Sequence, residues 1–229
     1  MIPFLLLCFL PLAILDSPPP WSYSYSGKTG QGPNKINVDV FYEALCPDSK
    51  NFILNTLSPA FSLFSPHLSV TLWPYGKAMT TQTEPNYEFR CQHGSAECEG
   101  NLYHNCAEKY IKDQGMKIRF LSCMFENVLP SVSSTPDWNQ IASQCSDREG
   151  VSGLLGQLYN CAVDLEGRQL HYQAGLRTGT REFIPSVEII VGREGGRLVL
   201  DTRKRVGNLV EELCILYQKQ TGDVVQPCQ

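Results

Sequence analysis

The stretch INVDVFYEALCPDSKNF, residues 36–52, decides the fold. Ile36 to Glu43 alternates well enough for a half-buried strand and is rich in β-branched and aromatic residues. Cys46 and Pro47 follow closely, and proline is favoured at the first position of a helix because no N–H is needed there. A helically spaced apolar stripe comes next, formed by Phe52, Ile53, Thr56 and Leu57. The stretch therefore predicts a strand and then a helix that Pro59 should end or kink.

The residues that follow predict a second strand and then a helical block. Leu68 to Trp73 has the pattern of a strand, and a strand–helix–strand unit with a helical crossover implies a right-handed parallel βαβ unit. Helices are predicted after it by the stripe Leu102, Cys106 and Tyr110, by the stripe Leu121, Met124, Phe125 and Val128, by the start signal Thr135-Pro136-Asp137, and by the face Val151, Leu154, Leu155, Leu158 and Ala162.

The C-terminal part returns to β structure. Val187–Val191 and Arg197–Leu200 flank Gly195-Gly196, a pattern typical of a hairpin, and an amphipathic helix from Val206 to Tyr217 follows. The order βαβ, helices, ββα predicts an α/β layer with a helical insertion at about residues 87–165.

Composition and the N-terminus indicate the compartment. The formal net charge of −4, from 19 basic and 23 acidic residues, gives no support for nucleic-acid binding. Phe4 to Leu15 is a twelve-residue apolar run, too short to span a bilayer, and it fits the core of a signal peptide at residues 1–17; a buried N-terminal strand or helix is the alternative. Residues 18–34, rich in Pro, Ser, Gly and Tyr, predict a flexible segment before one folded domain at 35–229. No later segment is long and apolar enough to cross a membrane.

The ten cysteines are many for a chain kept in a reducing cytosol. Removal of the signal peptide removes Cys8 and leaves nine, an odd number. In a secreted protein the odd cysteine is a reactive thiol or an intermolecular partner.

Cys46 has the local chemistry of a reactive thiol. Its place at or beside the helix N-cap would turn the N–H groups of Asp48 and Ser49 toward the sulfur, and the helix dipole adds positive potential. We therefore expect a lowered pKa for the Cys46 thiol. The nearby Asp48 carboxylate opposes the thiolate and makes this lowering smaller. A small buried cysteine and a disulfide partner are the alternatives on sequence alone.

The second cluster of chemistry is CQHGSAECEGNLYHNC, residues 91–106. Three cysteines together with His93 and His104 resemble a zinc site, but the stretch lacks a CxxC pair, and an oxidising compartment favours disulfides. We therefore predict no metal here.

This run resembles the signature of the gamma-interferon-inducible lysosomal thiol reductase (GILT) family. The positions that match the signature are Cys91, Gln92, His93, Gly94, Glu97, Cys98, Asn101 and Cys106. The flanking stretches VDVFYEALCP and FIPSVEIIVG are also similar to the family, so the resemblance covers nearly all of residues 35–229. It implies a thioredoxin-like fold with a helical insertion, similar to bacterial DsbA, containing disulfides and needing no bound cofactor.

The resemblance also implies roles for individual residues. Cys46 takes the position of the family's nucleophile, while Ser49 stands where the family's CxxC motif has the second, resolving cysteine. Ile184 and Pro185 take the position of the substrate-binding segment, where thioredoxin-like proteins have a cis-proline facing the active-site cysteine. An ordinary trans-proline at a strand entrance is the alternative. Eight cysteines remain for four structural disulfides: Cys91, Cys98, Cys106, Cys123, Cys145, Cys161, Cys214 and Cys228, with Cys214–Cys228 the expected local pair.

These features predict a thiol–disulfide oxidoreductase of the secretory pathway, extracellular or in the lysosomal lumen. A serine hydroxyl forms no disulfide, so we expect an external thiol such as glutathione or cysteine to resolve the mixed disulfide formed between Cys46 and a disulfide-bonded protein substrate. The alternatives are a redox-impaired family member that retains partners covalently through Cys46, or a non-catalytic recognition scaffold.

Overall fold

The structure is a computed structural model that describes residues 35–81, 86–128, 135–191, 196–200 and 209–228. The expected signal peptide at 1–17, the segment 18–34 and the turn at Gly195 lie outside the described residues. No helix within the described ranges combines the length and the apolar character needed to cross a membrane.

A four-stranded mixed sheet forms the centre of the fold. Its strands are β1 (Ile36–Tyr42), β2 (Leu68–Pro74), β5 (Ser186–Val191) and β6 (Gly196–Leu200), in the order β2-β1-β5-β6. β1 runs parallel to β2, and β5 is antiparallel to both β1 and β6. The parallel βαβ unit and the C-terminal hairpin predicted from the sequence are therefore confirmed.

The helix between β1 and β2 does not end at Pro59. It consists of α1 (Pro47–Phe52), one π-helical turn (Ile53–Leu57) and α2 (Ser58–Phe64), followed by a short 3-10 turn. Pro59 lies in the first turn of α2, where its missing N–H removes no hydrogen bond that the chain needs. The π-helical turn before Pro59 lets the helix continue through the proline, where the sequence predicts an end or a kink.

The helical block lies between two short strands and β5. β3 (Met79–Thr80) pairs with β4 (Phe89–Arg90), and five helices follow: α3 (Ser95–Tyr110), α4 (Gln114–Asn127), α5 (Trp138–Arg148), α6 (Leu155–Val163) and α7 (Leu165–Thr178). α5 starts later than the predicted Thr135, because the Asp137 side chain accepts the N–H of Gln140 at 2.9 Å and caps the helix. α8 (Leu209–Thr221) closes the chain.

Apolar side chains from the sheet and the helices share one main core. Val38, Val40 and Tyr42 of β1 point into it together with Leu72 of β2. Because β1 is central in the sheet and buried along its length, the chain that leaves its C-terminal end is held firmly in place. That end carries Cys46.

Candidate active site

Cys46 lies in the short connection between the end of β1 at Tyr42 and the start of α1 at Pro47. Its backbone is extended, with φ −71° and ψ 123°, and α1 begins at the next residue, Pro47. The predicted N-cap position is therefore what the structure has. The Cys46 side chain is only 8% exposed, and it is the one free cysteine among the described residues.

The other eight cysteines of the folded domain form disulfides. The pairs are Cys91–Cys98, Cys106–Cys161, Cys123–Cys145 and Cys214–Cys228. The three cysteines of residues 91–106 have no thiolate left for a metal ion, and His104 is fully buried between Phe125 and Trp138. The constellation that resembles a zinc site is therefore a disulfide-bonded segment.

The expected acidity of the Cys46 thiol is wrong. Burial raises the pKa of Cys46 and dominates, while the Ser49 hydroxyl and the N–H groups of Ser49 and Asp48 lower it, in the direction expected. The carboxylate that opposes the thiolate is Glu43, three residues before Cys46, whereas the Asp48 side chain is exposed to solvent. Desolvation and the Glu43 charge outweigh the amide groups, so the net pKa of the thiol is raised.

Ser49 is completely buried beneath the thiol, one helical turn from Cys46. Its Oγ accepts the backbone N–H of Glu43 at 3.2 Å, and its hydroxyl hydrogen-bonds the Cys46 sulfur and lowers the pKa of the thiol. Ser49 thus connects the backbone just after β1 to the Cys46 thiol. It supplies a hydrogen bond where a second cysteine would supply a thiol.

Three further ionisable side chains meet beside this site. Glu43 and Glu97 are almost fully buried, and His93 is partly exposed, with 32% of its side-chain surface accessible. The His93 Nδ1 lies 2.5 Å from Oε2 of Glu97 and 3.6 Å from Oε2 of Glu43. Each carboxylate is also fixed by a backbone N–H: Lys77 donates to Glu43 at 2.6 Å, and His93 donates to Glu97 at 3.0 Å.

Direct hydrogen bonding between its side chains accounts for the geometry of this cluster. Its three candidate ligand atoms lie within 4.8 Å of one another, and it is the only such group of His, Cys, Asp and Glu in the described part of the chain. However, two ligands of a tetrahedral zinc ion stand about 3.3 Å apart, whereas His93 and Glu97 are in direct hydrogen-bond contact at 2.5 Å.

The cluster controls the charge of Glu43. Burial raises the pKa of Glu43, and the Glu97 charge raises it further, while the Lys77 N–H and His93 lower it. A glycine makes room for this carboxylate: Gly76 has φ +61°, and a Cβ there would overlap the Glu43 side chain. The loop closed by Cys91–Cys98 thus contacts Glu43, the residue that follows β1, through His93.

Ile184 and Pro185 lie at the same edge of the sheet as Cys46. Phe41 of β1 pairs with Ser186 of β5, and the two strands are antiparallel, so Pro185 precedes β5 where the chain leaves β1 toward Cys46. The Ile184–Pro185 peptide bond is cis. Pro185 is buried, and Ile184 is partly exposed.

Sequence reasoning missed Glu43 as a functional residue. Its signal was present, because it is an acidic residue directly after the predicted strand and three positions before Cys46. His93 and Glu97 belonged to the signature, but their proximity to Glu43, about fifty positions earlier, depends on how α3 packs near β2 and the end of β1.

The profile of the gamma interferon inducible lysosomal thiol reductase (GILT) family matches residues 37–149. A relative of that name from Carassius auratus is 28% identical over 188 residues, covering 80% of this chain and 69% of its own. One from Mus musculus is 34% identical over 156 residues, covering 66% of this chain and 59% of its own. The matches therefore span about three fifths to two thirds of these relatives.

Two solved structures share the fold at low sequence identity. The reduced disulfide bond oxidoreductase DsbG of Mycobacterium tuberculosis superposes with a TM-score of 0.51 at 16% identity, over 86% of this chain and 83% of its own. A putative protein disulfide isomerase of Nitrosomonas europaea gives 0.51 at 10% identity, over 78% and 97%. These likenesses establish the thioredoxin-like fold. The family profile over residues 37–149 and the curated relatives of the same name support membership of the GILT family.

Proposed function

We propose that this protein is a monothiol disulfide reductase, in which Cys46 attacks substrate disulfides and an external thiol completes the reaction. The observation that carries this proposal is the position of Cys46, the free thiol of the described residues, at a helix N-cap beside Ser49 and Glu43. Family membership and the fold support thiol–disulfide exchange as the chemistry.

The reaction balances without an internal second thiol. The Cys46 thiolate attacks one sulfur of the substrate disulfide, the S–S bond breaks, and the other sulfur leaves as a thiolate that takes up a proton. An external thiolate such as glutathione then attacks the Cys46 sulfur, frees the reduced substrate and leaves glutathione on Cys46. A second glutathione releases the Cys46 thiolate as oxidised glutathione forms. Two external thiols therefore supply the two electrons that reduce one substrate disulfide.

We assign substrate binding to the Ile184–Pro185 segment. Its backbone lies at the sheet edge from which Cys46 emerges, and an extended chain that pairs with it would bring its disulfide toward the thiol. Disulfide-bonded proteins with an extended, accessible loop are the substrates that fit this mode of binding.

The compartment follows from the same chemistry. Four disulfides in one domain indicate folding in the secretory pathway, either for export or for the lysosomal lumen. The reduced external thiol that the reaction consumes, such as glutathione, is then supplied by that compartment and not by this chain.

The test is reduction of a fluorescent disulfide reporter by purified protein, with and without glutathione. We expect glutathione-dependent turnover in the wild type and background rates in Cys46→Ala. Ser146→Ala is a matched control, because it removes a buried hydroxyl that makes no hydrogen bond. Equal background rates for all three proteins would refute the proposal.

A second function is favoured by one observation, the hydroxyl at Ser49. Without an internal resolving thiol, a mixed disulfide on Cys46 lasts until an external thiol arrives, so the protein could retain thiol-bearing partners. Non-reducing gels would then show adducts that vanish in Cys46→Ala and diminish in Ser49→Cys. Adducts undiminished in Ser49→Cys would contradict this trapping mechanism.

A further inference from the structure

One side chain ties the Ile184–Pro185 segment to the sheet. The loop of residues 179–185 joins α7 to β5, and Arg181 lies within it. Although arginine is usually a surface residue, only 11% of the Arg181 side chain is exposed. Its guanidinium folds back against the strands and away from solvent.

The contacts of Arg181 all lie on the sheet. Nη2 donates to Oε1 of Glu188 at 2.7 Å, and Nη1 donates to Oγ of Ser186 at 3.3 Å. The guanidinium carbon lies 3.4 Å from the centre of the Phe41 ring, which is cation–π stacking distance. These contacts connect the start of the loop to residues after Pro185 and to β1. The backbone between them is therefore closed into a short, fixed arch.

The ion pair is charged in the folded protein. Burial alone would raise the pKa of Glu188, but hydrogen bonds and charges from Arg177 and Arg181 outweigh it, and the net pKa is lowered. A planar guanidinium can donate in two directions and stack on a ring at the same time, and an ammonium group cannot. Lysine at this position would keep the charge and lose the geometry.

Arg177 provides a natural comparison. It binds the same Glu188, through Nη2 at 2.7 Å from Oε2, and its guanidinium carbon lies 5.0 Å from the same Phe41 ring. It also pairs with Asp39 of β1. However, Arg177 belongs to α7, so it fixes the helix to the sheet and does not span the segment before Pro185.

We propose that Arg181 is a positioning residue that holds the backbone of Ile184 and Pro185 in place for pairing with an extended substrate. Its own contacts are with Ser186, Glu188 and Phe41, and not with the Cys46 thiol. This inference rests on the proposed function, because it gives a support to the segment to which substrate binding was assigned.

The experiment compares Arg181→Lys with Arg177→Lys. The substrates are an extended peptide bearing one cysteine as its glutathione mixed disulfide, and cystine, which is too small to pair with the segment. In Arg181→Lys we expect the KM for the peptide to rise roughly tenfold, the equivalent of one hydrogen bond lost. We expect kcat, the KM for cystine and the rate of Cys46 alkylation to stay within about twofold of wild type. Arg177→Lys should lose stability without this rise in KM.

Binding to Cys46→Ala separates this inference from the proposed function. Fluorescence anisotropy of the same peptide should show binding to Cys46→Ala that weakens roughly tenfold when Arg181→Lys is added. Turnover that depends on Cys46, with an unchanged peptide KM in Arg181→Lys, would overturn the inference and leave the function intact. If the wild type shows no turnover but Arg181→Lys still weakens peptide binding as expected, the proposed function is refuted and the inference about Arg181 stands. An equal KM rise in Arg177→Lys, or no peptide binding to Cys46→Ala, would also overturn it.

Discussion

Ser49→Ala tests how the thiol is supported in the absence of a second cysteine. The substitution removes one buried oxygen with two partners: the N–H of Glu43, which donates to it at 3.2 Å, and the sulfur of Cys46, to which it lends a hydrogen bond. Alanine fits the space because it only deletes an atom. The two losses act on different observables, so each can be measured separately.

The effect on the thiol follows from the strength of a hydrogen bond to a charged group. Such a bond contributes about 1.5–3 kcal/mol, and one pKa unit corresponds to about 1.4 kcal/mol. Loss of the Ser49 hydroxyl should therefore raise the pKa of Cys46 further above the value to which burial already raises it. At a fixed pH below that pKa, the thiolate fraction and the alkylation rate should fall about 10- to 100-fold.

The effect on stability follows from the Glu43 amide. Its N–H is buried and would have no partner, which costs about 1–3 kcal/mol. Urea denaturation should show this loss, and Ser146→Ala, which removes a buried hydroxyl without a partner, should show little change. Iodoacetamide alkylation of Cys46 from pH 6 to 10 gives the thiol pKa. Superimposable alkylation profiles for Ser49→Ala and wild type would refute the role given to this hydroxyl.

Three other substitutions test separate features. Glu43→Gln should keep the hydrogen bond from the Lys77 N–H but remove the charge beside Cys46, so the pKa of the thiol should fall. Alkylation of Cys46 at pH 7 should then accelerate roughly 3- to 10-fold. An unchanged alkylation rate would mean that Glu43 does not act on the thiol. Burial lowers the pKa of His104 to about 3, so the unfolded chain binds its proton first and stability is lost as pH falls from 6.5 toward 3. His104→Phe should make the loss between pH 7 and 5 smaller by about 2 kcal/mol in urea titrations, and an equal loss in both proteins would contradict this. Replacing both Cys106 and Cys161, 55 positions apart, by alanine should lower the free energy of unfolding by about 4 kcal/mol, because the disulfide closes a long loop. Loop length predicts a loss of roughly 2.5 kcal/mol for the short Cys91–Cys98 loop. A loss below that value for Cys106–Cys161 would show that loop length does not govern the stabilisation.

The sequence predicted those parts of the fold whose signals are local. Ile36–Glu43 and Leu68–Trp73 correspond to β1 and β2 within one residue at each end, because alternation and β-branched composition identify strands directly. The hairpin of β5 and β6 had the same kind of signal, in two apolar runs separated by glycines. Cys46 was placed at a helix N-cap by Pro47 alone.

Helix α7 had no such signal, and its buried face explains why. Gly167, His171, Ala174 and Thr178 are the buried positions, spaced by four, three and four residues as a helix requires. They are small or polar, so a search for apolar periodicity does not detect them. The tight packing is visible only in the structure, where a Cβ on Gly175 would overlap the Tyr75 ring. The buried His171 ring is held in place by a contact of 3.1 Å between its Nδ1 and the carbonyl oxygen of Pro74.

The acidity of Cys46 was mispredicted for a similar reason. The amide groups of Asp48 and Ser49 are neighbours in sequence and could be counted in advance. Burial of the sulfur depends on the whole fold, and the Glu43 carboxylate is turned toward the site by Gly76, Lys77 and His93. A local motif therefore gives the position of a thiol, whereas its pKa depends on side chains that only tertiary structure brings together.

A raised thiol pKa suits an enzyme that lacks a resolving cysteine. In a mixed disulfide an external thiolate can attack either sulfur, and the sulfur whose thiol has the lower pKa leaves more readily. Because burial and Glu43 raise the pKa of Cys46, an ordinary substrate cysteine is the better leaving group. Attack at the Cys46 sulfur, which releases the reduced substrate, is then favoured over attack at the substrate sulfur, which returns free enzyme and a substrate still in disulfide linkage. In the proposed monothiol mechanism, the same Glu43 charge that slows formation of the thiolate would therefore favour the second half of the reaction, in which an external thiol releases the reduced substrate.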